Sequence, residues 1–246
     1  MTPSSKAASR GEPAYILRPG GKRRLQLIEQ ALVGLECSRL LDDGCGVGAY
    51  LNSLGDYAAE VYGLDYELER LQQAKSRGSQ IPPLICAAAE EIPFLSESFD
   101  AVISNEVIEH VADDQLAVQE MVRVLKVGGR AVIFCPNRWY PVEQHGIFWR
   151  GKYHFGNIPL VNYLPDPLRD RLAPHVRIYT AKKLLGLLHG LPVRVVSRTR
   201  IFGGYDNLVA RFGRLGRLLR CMVHLAERTP LRIAGLSHLV IIERVR

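Results

Sequence analysis

Leu40-Leu41-Asp42-Asp43-Gly44-Cys45-Gly46-Val47-Gly48 is the stretch that decides the fold of this chain. A short apolar run ends here in an acid, and glycines follow at alternate positions. Glycine permits a tight turn and a close approach of the backbone to a ligand. If a helix follows, the backbone N–H groups at its first turn can meet polar groups of that ligand. The stretch therefore predicts a ligand-binding turn between a strand and a helix.

Two kinds of ligand carry an anionic group that suits such a turn: a dinucleotide, with its pyrophosphate, and an amino-acid-bearing cofactor, with its carboxylate. The dinucleotide pattern is G-x-G-x-x-G. This chain instead reads G-x-G-x-G-A from Gly44 to Ala49. The acid Asp42 at the end of the strand suits a cationic ammonium group better than a pyrophosphate. The turn therefore favours the amino-acid end of S-adenosylmethionine, although a turn with no ligand remains the alternative.

A second acid supports a cofactor site. Asp65 ends the next apolar run, 19 residues beyond Gly46. An acid at about this distance accepts hydrogen bonds from ribose hydroxyls in nucleotide-binding folds. It also stands where it would cap a helix over Tyr66–Lys75. The two roles are compatible, so Asp65 is predicted to bind the ribose.

Strand-like and helix-like patterns alternate along the chain. Strands are predicted at Arg39–Asp42, Glu60–Asp65, Pro83–Ala87, Phe99–Ser104, Arg130–Cys135, Val193–Arg198 and His238–Arg244. Helices are predicted at Tyr50–Leu54, Leu68–Ala74, Gln115–Leu125, Ala181–His189 and Asn207–Glu227. This alternation predicts an α/β fold: a seven-stranded, mostly parallel sheet with helices on both faces.

The length of 246 residues fits one domain, predicted over residues 15–246. Residues 1–14 are polar, lack the apolar region of a secretory signal, and are predicted to be disordered. Residues 137–178 are rich in aromatic residues, Pro and Gly, and are predicted to form an irregular insert on the substrate side. The five cysteines are dispersed, which argues against a disulfide framework and favours a reducing, cytoplasmic location.

The charge is divided unevenly along the chain. Residues 1–137 hold 13 Lys/Arg and 19 Asp/Glu, a net charge of −6, whereas residues 138–246 hold 19 and 6, a net charge of +13. Such asymmetry suggests that the second half meets something anionic. A solvated basic face is the alternative, because the sign of a charge specifies no partner.

Four segments together resemble a known family. Residues 39–51 (RLLDDGCGVGAYL), 61–65 (VYGLD), 88–111 (AAEEIPFLSESFDAVISNEVIEHV) and 120–137 (EMVRVLKVGGRAVIFCPN) are similar to successive motifs of the class I S-adenosylmethionine-dependent methyltransferases, in particular the small-molecule subgroup often called type 11. The segment Leu17-Arg18-Pro19-Gly20-Gly21 also resembles one that precedes the first strand in some members. The resemblance covers roughly residues 15–150 and implies a Rossmann-like fold with S-adenosyl-L-methionine as cofactor.

The resemblance implies a cofactor-binding role for nine residues. It places four of them around the methionine moiety: Asp42, Gly44, Cys45 and Gly46. Asp65 is placed at the ribose and Asn105 under the sulfonium. The remaining three are placed at the adenine: Tyr66, Ala89 and Glu90. One position departs from the pattern, because Ala88 stands where the family usually has an Asp that accepts from the adenine amino group. The loss of such a charge-assisted hydrogen bond costs about 1.5–3 kcal/mol.

Two clusters offer groups for catalysis. In the first, a helix over residues 105–110 would bring Glu106, Glu109 and His110 onto one face. That face could bind a divalent ion, as in the quinone-pathway O-methyltransferases that this segment resembles, and His110 is a candidate catalytic residue. The same pattern is also found in relatives without a metal, so no metal is predicted.

The second cluster follows the fifth predicted strand. His145 is the preferred general base, with Glu143 as the group that orients it. A lone histidine can equally be a surface or packing residue. Six nearby aromatic residues are predicted to form a lid or a small core of their own: Trp139, Tyr140, Phe148, Trp149, Tyr153 and Phe155.

The predicted helix Asn207–Glu227 is basic and amphipathic. It carries arginines at positions 211, 214, 217 and 220, and an apolar stripe of Leu208, Phe212, Leu215, Leu219 and Met222. Such a helix can lie on an anionic membrane surface or face a phosphate-bearing substrate. The ordinary expectation is that it packs its stripe on the sheet and leaves its arginines in solvent.

The sequence therefore predicts an O-methyltransferase acting on a small molecule such as a sugar, phenol, quinone precursor or lipid-linked intermediate, which can be anionic. RNA methylation is the second hypothesis, although the chain lacks an Asn-Pro-Pro-Tyr-type motif after the fourth strand and a recognisable RNA-binding appendage, so nucleic acid is not the expected partner. The third is a non-catalytic partner protein with a cofactor-binding fold, which Ala88 favours and the intact turn disfavours.

Overall fold

A computed structural model describes residues 19–77 and 81–246. The strands are β1 (Arg39–Asp43), β2 (Glu60–Asp65), β3 (Leu84–Cys86), β4 (Phe99–Asn105), β5 (Leu125–Pro136), β6 (Val142–Glu143), β7 (Ile147–Trp149), β8 (Lys152–His154), β9 (Ile158–Pro159), β10 (Val193–Ile201) and β11 (Ser237–Arg244). The α-helices are α1 (Pro19–Leu32), α2 (Leu51–Leu54), α3 (Leu68–Ser76), α4 (Asp114–Val124), α5 (Asp166–Leu172), α6 (Ala181–Gly186) and α7 (Asp206–Ala226). Short 3-10 helices cover Val161–Tyr163 and Pro230–Ala234.

Seven strands form one sheet in the order β3-β2-β1-β4-β5-β11-β10. The pairs from β3 to β5 are parallel, whereas β11 runs antiparallel to both β5 and β10. The predicted seven-stranded, mostly parallel sheet is therefore confirmed. The predicted helix Gln115–Leu125 and strand Arg130–Cys135 also occur, although β5 begins earlier, at Leu125.

The sheet is buried on both faces, as a parallel sheet requires. Successive residues of a strand point to opposite faces. Leu41 accordingly packs in one core with Met121 of α4, whereas its neighbour Leu40 packs in the other with Ile28 of α1. These helices place the two cores on either side of one sheet, and the Rossmann-like layering is confirmed.

The strand order reverses at β1, whose neighbours β2 and β4 lead into opposite halves of the sheet. In open α/β sheets, ligands bind in the crevice beyond the carboxyl ends of the strands at such a switch point. The Gly-rich turn follows β1 directly, so the topology places it in that crevice.

The insert over residues 137–178 contains short strands and a helix that were not predicted from its sequence. β6 pairs with β9 and β7 pairs with β8 as two small antiparallel sheets, followed by α5. Asn137, which is buried, holds the start of the insert to the segment that precedes β11. Its side-chain amide donates to the carbonyl oxygens of Ile233 and Gly235 at 2.8 and 2.7 Å.

The basic helix differs from the sequence expectation. α7 is interrupted at Gly213, whose φ of 51° and ψ of −116° are not helical. The expectation that its apolar stripe packs on the sheet is wrong, because Phe212, Leu215 and Met222 are exposed. The residues of the predicted disordered segment 1–14, together with Leu17 and Arg18, lie outside the described residues. Among the residues that are described, no helix has both the length and the apolarity needed to cross a membrane.

Candidate active site

The Gly-rich turn is closed by its own hydrogen bonds. The N–H groups of Gly44 and Cys45 both donate to the carbonyl oxygen of Leu64 at 2.8 Å, and α2 begins only at Leu51. The N–H groups of Gly44 and Cys45 are therefore used within the protein, and the role of the first turn of the following helix stays a prediction. Gly44 adopts a φ of +79°, and a Cβ there would lie 2.3 Å from Cγ2 of Val107. Glycine is required at this position by both backbone conformation and space.

Asp65 joins the turn to the end of β2. Its carboxylate accepts from the N–H groups of Gly46 at 2.9 Å and Glu67 at 2.8 Å. The N-cap position of α3 is Glu67, not Asp65, so the capping alternative is wrong in detail. Each carboxylate oxygen has further acceptor capacity, which leaves Asp65 able to receive a ligand hydroxyl.

A buried acidic group lies under the turn. Asp42 and Asp43 are 2% and 0% exposed, and within residues 19–77 and 81–246 both oxygens of Asp43 and Oδ2 of Asp42 meet no hydrogen-bond donor. Burial, with the charge of Asp65, raises the pKa of Asp42 to about 7. Burial, with the charges of Asp42, Asp65 and Glu90, raises the pKa of Asp43 to about 8. Such acids are stabilised when a cation or a hydrogen-bond donor enters beside them.

A cavity of about 510 Å³ opens beside this acidic group. Its wall includes Asp43, Gly44, Asp65, Tyr66, Ala88, Ala89, Glu90, Glu106 and His110. Glu90 fastens the opposite wall, since its Oε1 accepts from the N–H groups of Ala112 at 2.6 Å and Asp113 at 3.2 Å. The space has the size of a small-molecule site. Five of the predicted cofactor contacts line it: Gly44, Asp65, Tyr66, Ala89 and Glu90. The other four are not part of its wall: Asp42, Cys45, Gly46 and Asn105.

Arg24 enters this site from α1, a contact that sequence reasoning missed. Its guanidinium donates to Oδ1 of Asn105 at 2.5 Å, to Oε1 of Glu106 at 2.6 Å and to Oγ of Ser237 at 2.7 Å. Burial would raise the pKa of Glu106, but the charge of Arg24, the hydrogen bonds with Ser237 and Glu109 and the charge of His145 together outweigh burial and lower it to about 2. Arg24 therefore holds the side-chain oxygen of Asn105, and the place of Asn105 under the sulfonium stays a prediction.

The segment from Glu106 to His110 is not helical. The predicted grouping of Glu106, Glu109 and His110 on one face required a helix here, and that condition is not met. Glu106 has a left-handed backbone with a φ of 59°, and turns follow it. Its carboxylate is turned to Arg24, whereas Glu109 is 1% exposed and accepts no hydrogen bond from any described residue. Burial and the charge of Glu106 raise the pKa of Glu109 well above its ordinary value.

A different trio could hold a metal ion. Ligand atoms of Glu109, His110 and His145 all lie within 4.8 Å of one another, whereas the trio predicted from the sequence contained Glu106 in place of His145. Burial, followed by the charge of His145, lowers the pKa of His110 to about 3. Its imidazole is therefore neutral at physiological pH, which is the protonation state of a ligand or an acceptor.

His145 and Glu143 form a hydrogen-bonded pair on the insert. Nδ1 of His145 lies 2.9 Å from Oε1 of Glu143, whose other oxygen accepts from Arg169 at 3.0 Å. Glu143 and Arg169 are 1% and 2% exposed. Burial would raise the pKa of Glu143, but the bond to His145 and the charges of His145 and Arg169 lower it to about 2. An ionised acid thus fixes the ring of His145, whose centroid lies 5.3 Å from that of His110.

A second and larger space, of about 900 Å³, lies on the other side of His110. It shares His110 and Val111 with the first cavity, and its wall also carries Arg138, Arg169, Arg177 and Lys183 with the acids Glu109, Asp166 and Asp170. The two spaces therefore meet at His110, and the second one, called here the basic cleft, has an excess of positive groups.

The aromatic residues of the insert are divided between two environments. Phe148 and Tyr153 pack with His175 at centroid distances of 5.3–5.6 Å, beneath the backbone of His145. Trp139, Trp149 and Phe155 are exposed. The first group is half-buried and contacts the backbone of His145, which favours a packing role for these rings. The lid stays a prediction.

Comparisons with known proteins agree with this geometry. Residues 41–133 match the family model described as a methyltransferase domain. The chain is 30% identical over 188 residues to a ubiquinone biosynthesis O-methyltransferase of Mesorhizobium japonicum, covering 72% of this chain and 67% of that protein. It is 38% identical over 108 residues to the biotin biosynthesis bifunctional protein of Cellvibrio japonicus, covering 44% of this chain but only 22% of that protein. In several curated relatives the matched region spans about half of the protein or less.

The fold has solved counterparts. An S-adenosylmethionine-dependent methyltransferase from Mesorhizobium loti superposes with a TM-score of 0.62 at 19% identity, covering 92% of this chain and 98% of that one. At this identity the likeness shows the fold alone. Together with the match over residues 41–133 and the Mesorhizobium japonicum relative, it shows that the chain belongs to the class I S-adenosylmethionine-dependent methyltransferases. The cofactor of this family is S-adenosylmethionine.

The residues at the first cavity fit that cofactor. Asp43, whose two oxygens meet no donor among the described residues, suits a cationic group of the cofactor, and Asp65 suits the ribose hydroxyls. We expect Asp65→Asn to weaken binding of S-adenosylhomocysteine by at least about tenfold, because a hydrogen bond to a charged acceptor contributes about 1.5–3 kcal/mol.

Titration calorimetry measures the effect of Asp65→Asn, with Asp56→Asn, an exposed acid near α2, as the control. Because Asp65 also holds the turn, urea unfolding of both variants is needed to separate lost affinity from lost stability. Unchanged affinity in folded Asp65→Asn would show that Asp65 serves the turn alone.

Proposed function

We infer that this protein transfers a methyl group from S-adenosylmethionine to a hydroxyl oxygen of a small, anionic acceptor. The observation that carries the proposal is the pair of Glu143, which is buried, and His145, which is partly buried and whose ring packs against that of His110. His110 lines both spaces, whereas Glu143 and His145 line a small adjoining space of about 20 Å³. When bound, S-adenosylmethionine supplies an activated methyl group. A hydroxyl must lose a proton as it is methylated, so a positioned base lowers the barrier.

His145 is the base in this proposal. Glu143 accepts the hydrogen of Nδ1, which fixes the tautomer in which Nε2 is free to take the acceptor's proton. The ionised carboxylate then stabilises the imidazolium that forms. Arg169 keeps Glu143 ionised and in place. His110 is neutral, and its ring contacts that of His145.

The basic cleft supports an anionic acceptor. Arg177 is held at the shared wall by the carbonyl oxygen of Ala112 at 2.7 Å, and Lys183 lies over the ring of Tyr179. Guanidinium and ammonium groups fixed in this way attract carboxylates and phosphates. O-methylation is further supported by the name of the Mesorhizobium japonicum relative, a ubiquinone biosynthesis O-methyltransferase.

The activity is tested by supplying S-adenosylmethionine with a panel of phenolic and sugar acceptors, each with and without a carboxylate or phosphate. Release of S-adenosylhomocysteine and mass spectrometry of the acceptor identify the product. We expect methylated oxygen in an anionic acceptor. Methylation of carbon or nitrogen, or no preference for anionic acceptors, would contradict the proposal.

His145→Ala is expected to lower kcat by about 100- to 10,000-fold, the usual contribution of a general base, while cofactor affinity stays unchanged. His189→Ala, at an exposed histidine outside the site, is the matched control. Added imidazole should restore part of the activity of His145→Ala because it can occupy the space left by the ring.

A chelator separates the base from a metal ligand. If His145 is the base, a chelator leaves the wild-type rate intact. If the chelator abolishes the rate and a divalent ion restores it, Glu109, His110 and His145 form a metal site, and the role of His145 as a base is wrong.

A further inference from the structure

The second half of α7 is attached to the domain by its polar face. Glu227, just after the helix, accepts from the N–H of Phe202 at 2.6 Å and pairs with Arg23 of α1. Nε2 of His224 lies 3.0 Å from the carbonyl oxygen of Gly203. Gly216, which is buried, packs against the backbone of the helix's first half. His224 and Glu227 thus face the protein, whereas Arg214 and Arg217 are exposed.

The opposite face of α7 is apolar and exposed. Five large apolar residues recur at helical spacing along it and are 38–60% exposed: Leu215, Leu218, Leu219, Met222 and Leu225. The 3-10 helix that follows lies against α7 and adds Leu231 and Ile233, which are 66% and 52% exposed. Monomeric soluble proteins rarely leave so many contiguous apolar groups in water, so this face is expected to meet a partner.

The charges beside this face select the partner. The only acid in the sequence of α7 is Asp206, which lies 3.7 Å from Arg220 on the side towards the domain. Arg211, Arg214 and Arg217 therefore have no opposing acid within the helix. Contact between two copies through this face would bring arginines together, whereas an anionic lipid surface would neutralise them.

We propose that the exposed face of α7 binds an anionic lipid surface. The leucines and Met222 enter the boundary between headgroups and acyl chains, and the flanking arginines contact the headgroup phosphates. A helix lying in the plane of the interface is the arrangement that an apolar stripe bordered by arginines favours. The kink at Gly213 turns the first half of the helix away from the line of the second, so the binding face is formed by Arg214–Ala226.

The same surface is connected to the active site through α1. The N–H of Gly20 donates to Asp206 at 3.3 Å, and Arg23 bonds to the carbonyl oxygen of Phe202 at 3.0 Å. The next residue, Arg24, binds Asn105 and Glu106. Lipid binding through α7 would therefore hold the site near the membrane, although the binding itself does not depend on the methyl-transfer reaction.

Flotation of the full chain with vesicles tests this proposal. The protein is mixed at low salt with vesicles of phosphatidylcholine alone, or of phosphatidylcholine with phosphatidylglycerol. We expect it to float only with the anionic vesicles and to be partly released by salt. The double variant Leu218→Gln/Met222→Gln should lose at least about tenfold in partitioning, because two buried apolar side chains become polar. Arg214→Gln and Arg217→Gln should each lose about fivefold on anionic vesicles.

Leu95→Gln is the matched control, since Leu95 is 84% exposed on another part of the surface. It should float like the wild type. Thermal unfolding of every variant shows whether it is folded, and sedimentation without vesicles shows whether the face joins two copies. The proposal is overturned if the wild type does not float with anionic vesicles. It is equally overturned if the double variant floats undiminished, or if the wild type is a dimer that the double variant converts to a monomer.

Discussion

Replacing Glu143 by Ala is expected to lower the free energy of unfolding by about 3–5 kcal/mol. Glu143 is the acceptor for both His145 and Arg169 and is almost fully buried. Arg169 sits on α5 and also donates to the carbonyl oxygen of Ala173 at 3.3 Å. Without Glu143 the guanidinium loses its buried counter-charge and retains the exposed carboxylate of Asp170 at 3.4 Å, and the cost of this poorly compensated buried charge dominates the effect.

Urea unfolding measures this loss of stability, and two further variants show whether the buried charge of Arg169 causes it. Glu97→Ala removes an exposed partner of Arg244 and should cost only about 0–1 kcal/mol. The double variant Glu143→Leu/Arg169→Met removes both charges, so it should be more stable than Glu143→Ala. If Glu143→Ala lowered the free energy of unfolding no more than Glu97→Ala does, the Glu143–Arg169 ion pair would be solvated.

The pH dependence has a defined sign. The folded-state pKa of Glu143, about 2, lies below its unfolded value of about 4.3. Its ionised form therefore stabilises the fold at every pH above about 4.3, and this contribution is lost as the pH falls from there towards 2. Compared with wild type, Glu143→Gln should show a weaker loss of stability across that acidic range.

The sheet could be predicted from sequence because its signals are local. Each strand from β1 to β5 is an apolar run that ends at a turn, and the parallel topology follows from the helices between the strands. The cofactor side follows in the same way, since the Gly-rich turn and Asp65 mark the carboxyl ends of neighbouring strands. Residues at those ends meet wherever the sheet forms.

The remaining features depend on contacts distant in sequence or on single backbone angles. Arg24 binds Glu106, which is 82 positions away in the sequence, and Arg169 binds Glu143, which is 26 positions away. Hydrophobic periodicity does not predict contacts between residues so far apart. Glu106 has a left-handed backbone conformation, so the segment that follows β4 does not begin as a helix. The predicted grouping of Glu106 with Glu109 and His110 depended on that helix. The amphipathic pattern of α7 is clear in the sequence, but it does not indicate which face of the helix packs against the rest of the domain.

Asp43→Asn is expected to remove much of the pH dependence of stability in the protein without cofactor. The folded-state pKa of Asp43, about 8, lies above its unfolded value of about 3.9. Its contribution to stability is thus fully present below about pH 3.9 and is lost as the pH rises to 8. The slope is about 1.4 kcal/mol per pH unit for one group. An amide side chain at this position does not titrate, so the variant should lose less stability between about pH 5 and pH 8.

The same acid should link cofactor binding to proton release. A cationic cofactor beside Asp43 favours the ionised carboxyl, so binding near pH 7 should expel a proton and strengthen as the pH rises towards 8. Calorimetry with S-adenosylmethionine in two buffers of different ionisation enthalpy counts the protons released. Asp56→Asn, at an exposed acid, should behave as wild type. Equal proton release by wild type and Asp43→Asn would assign the linkage to Asp42, whose pKa is raised to about 7 in the same buried group.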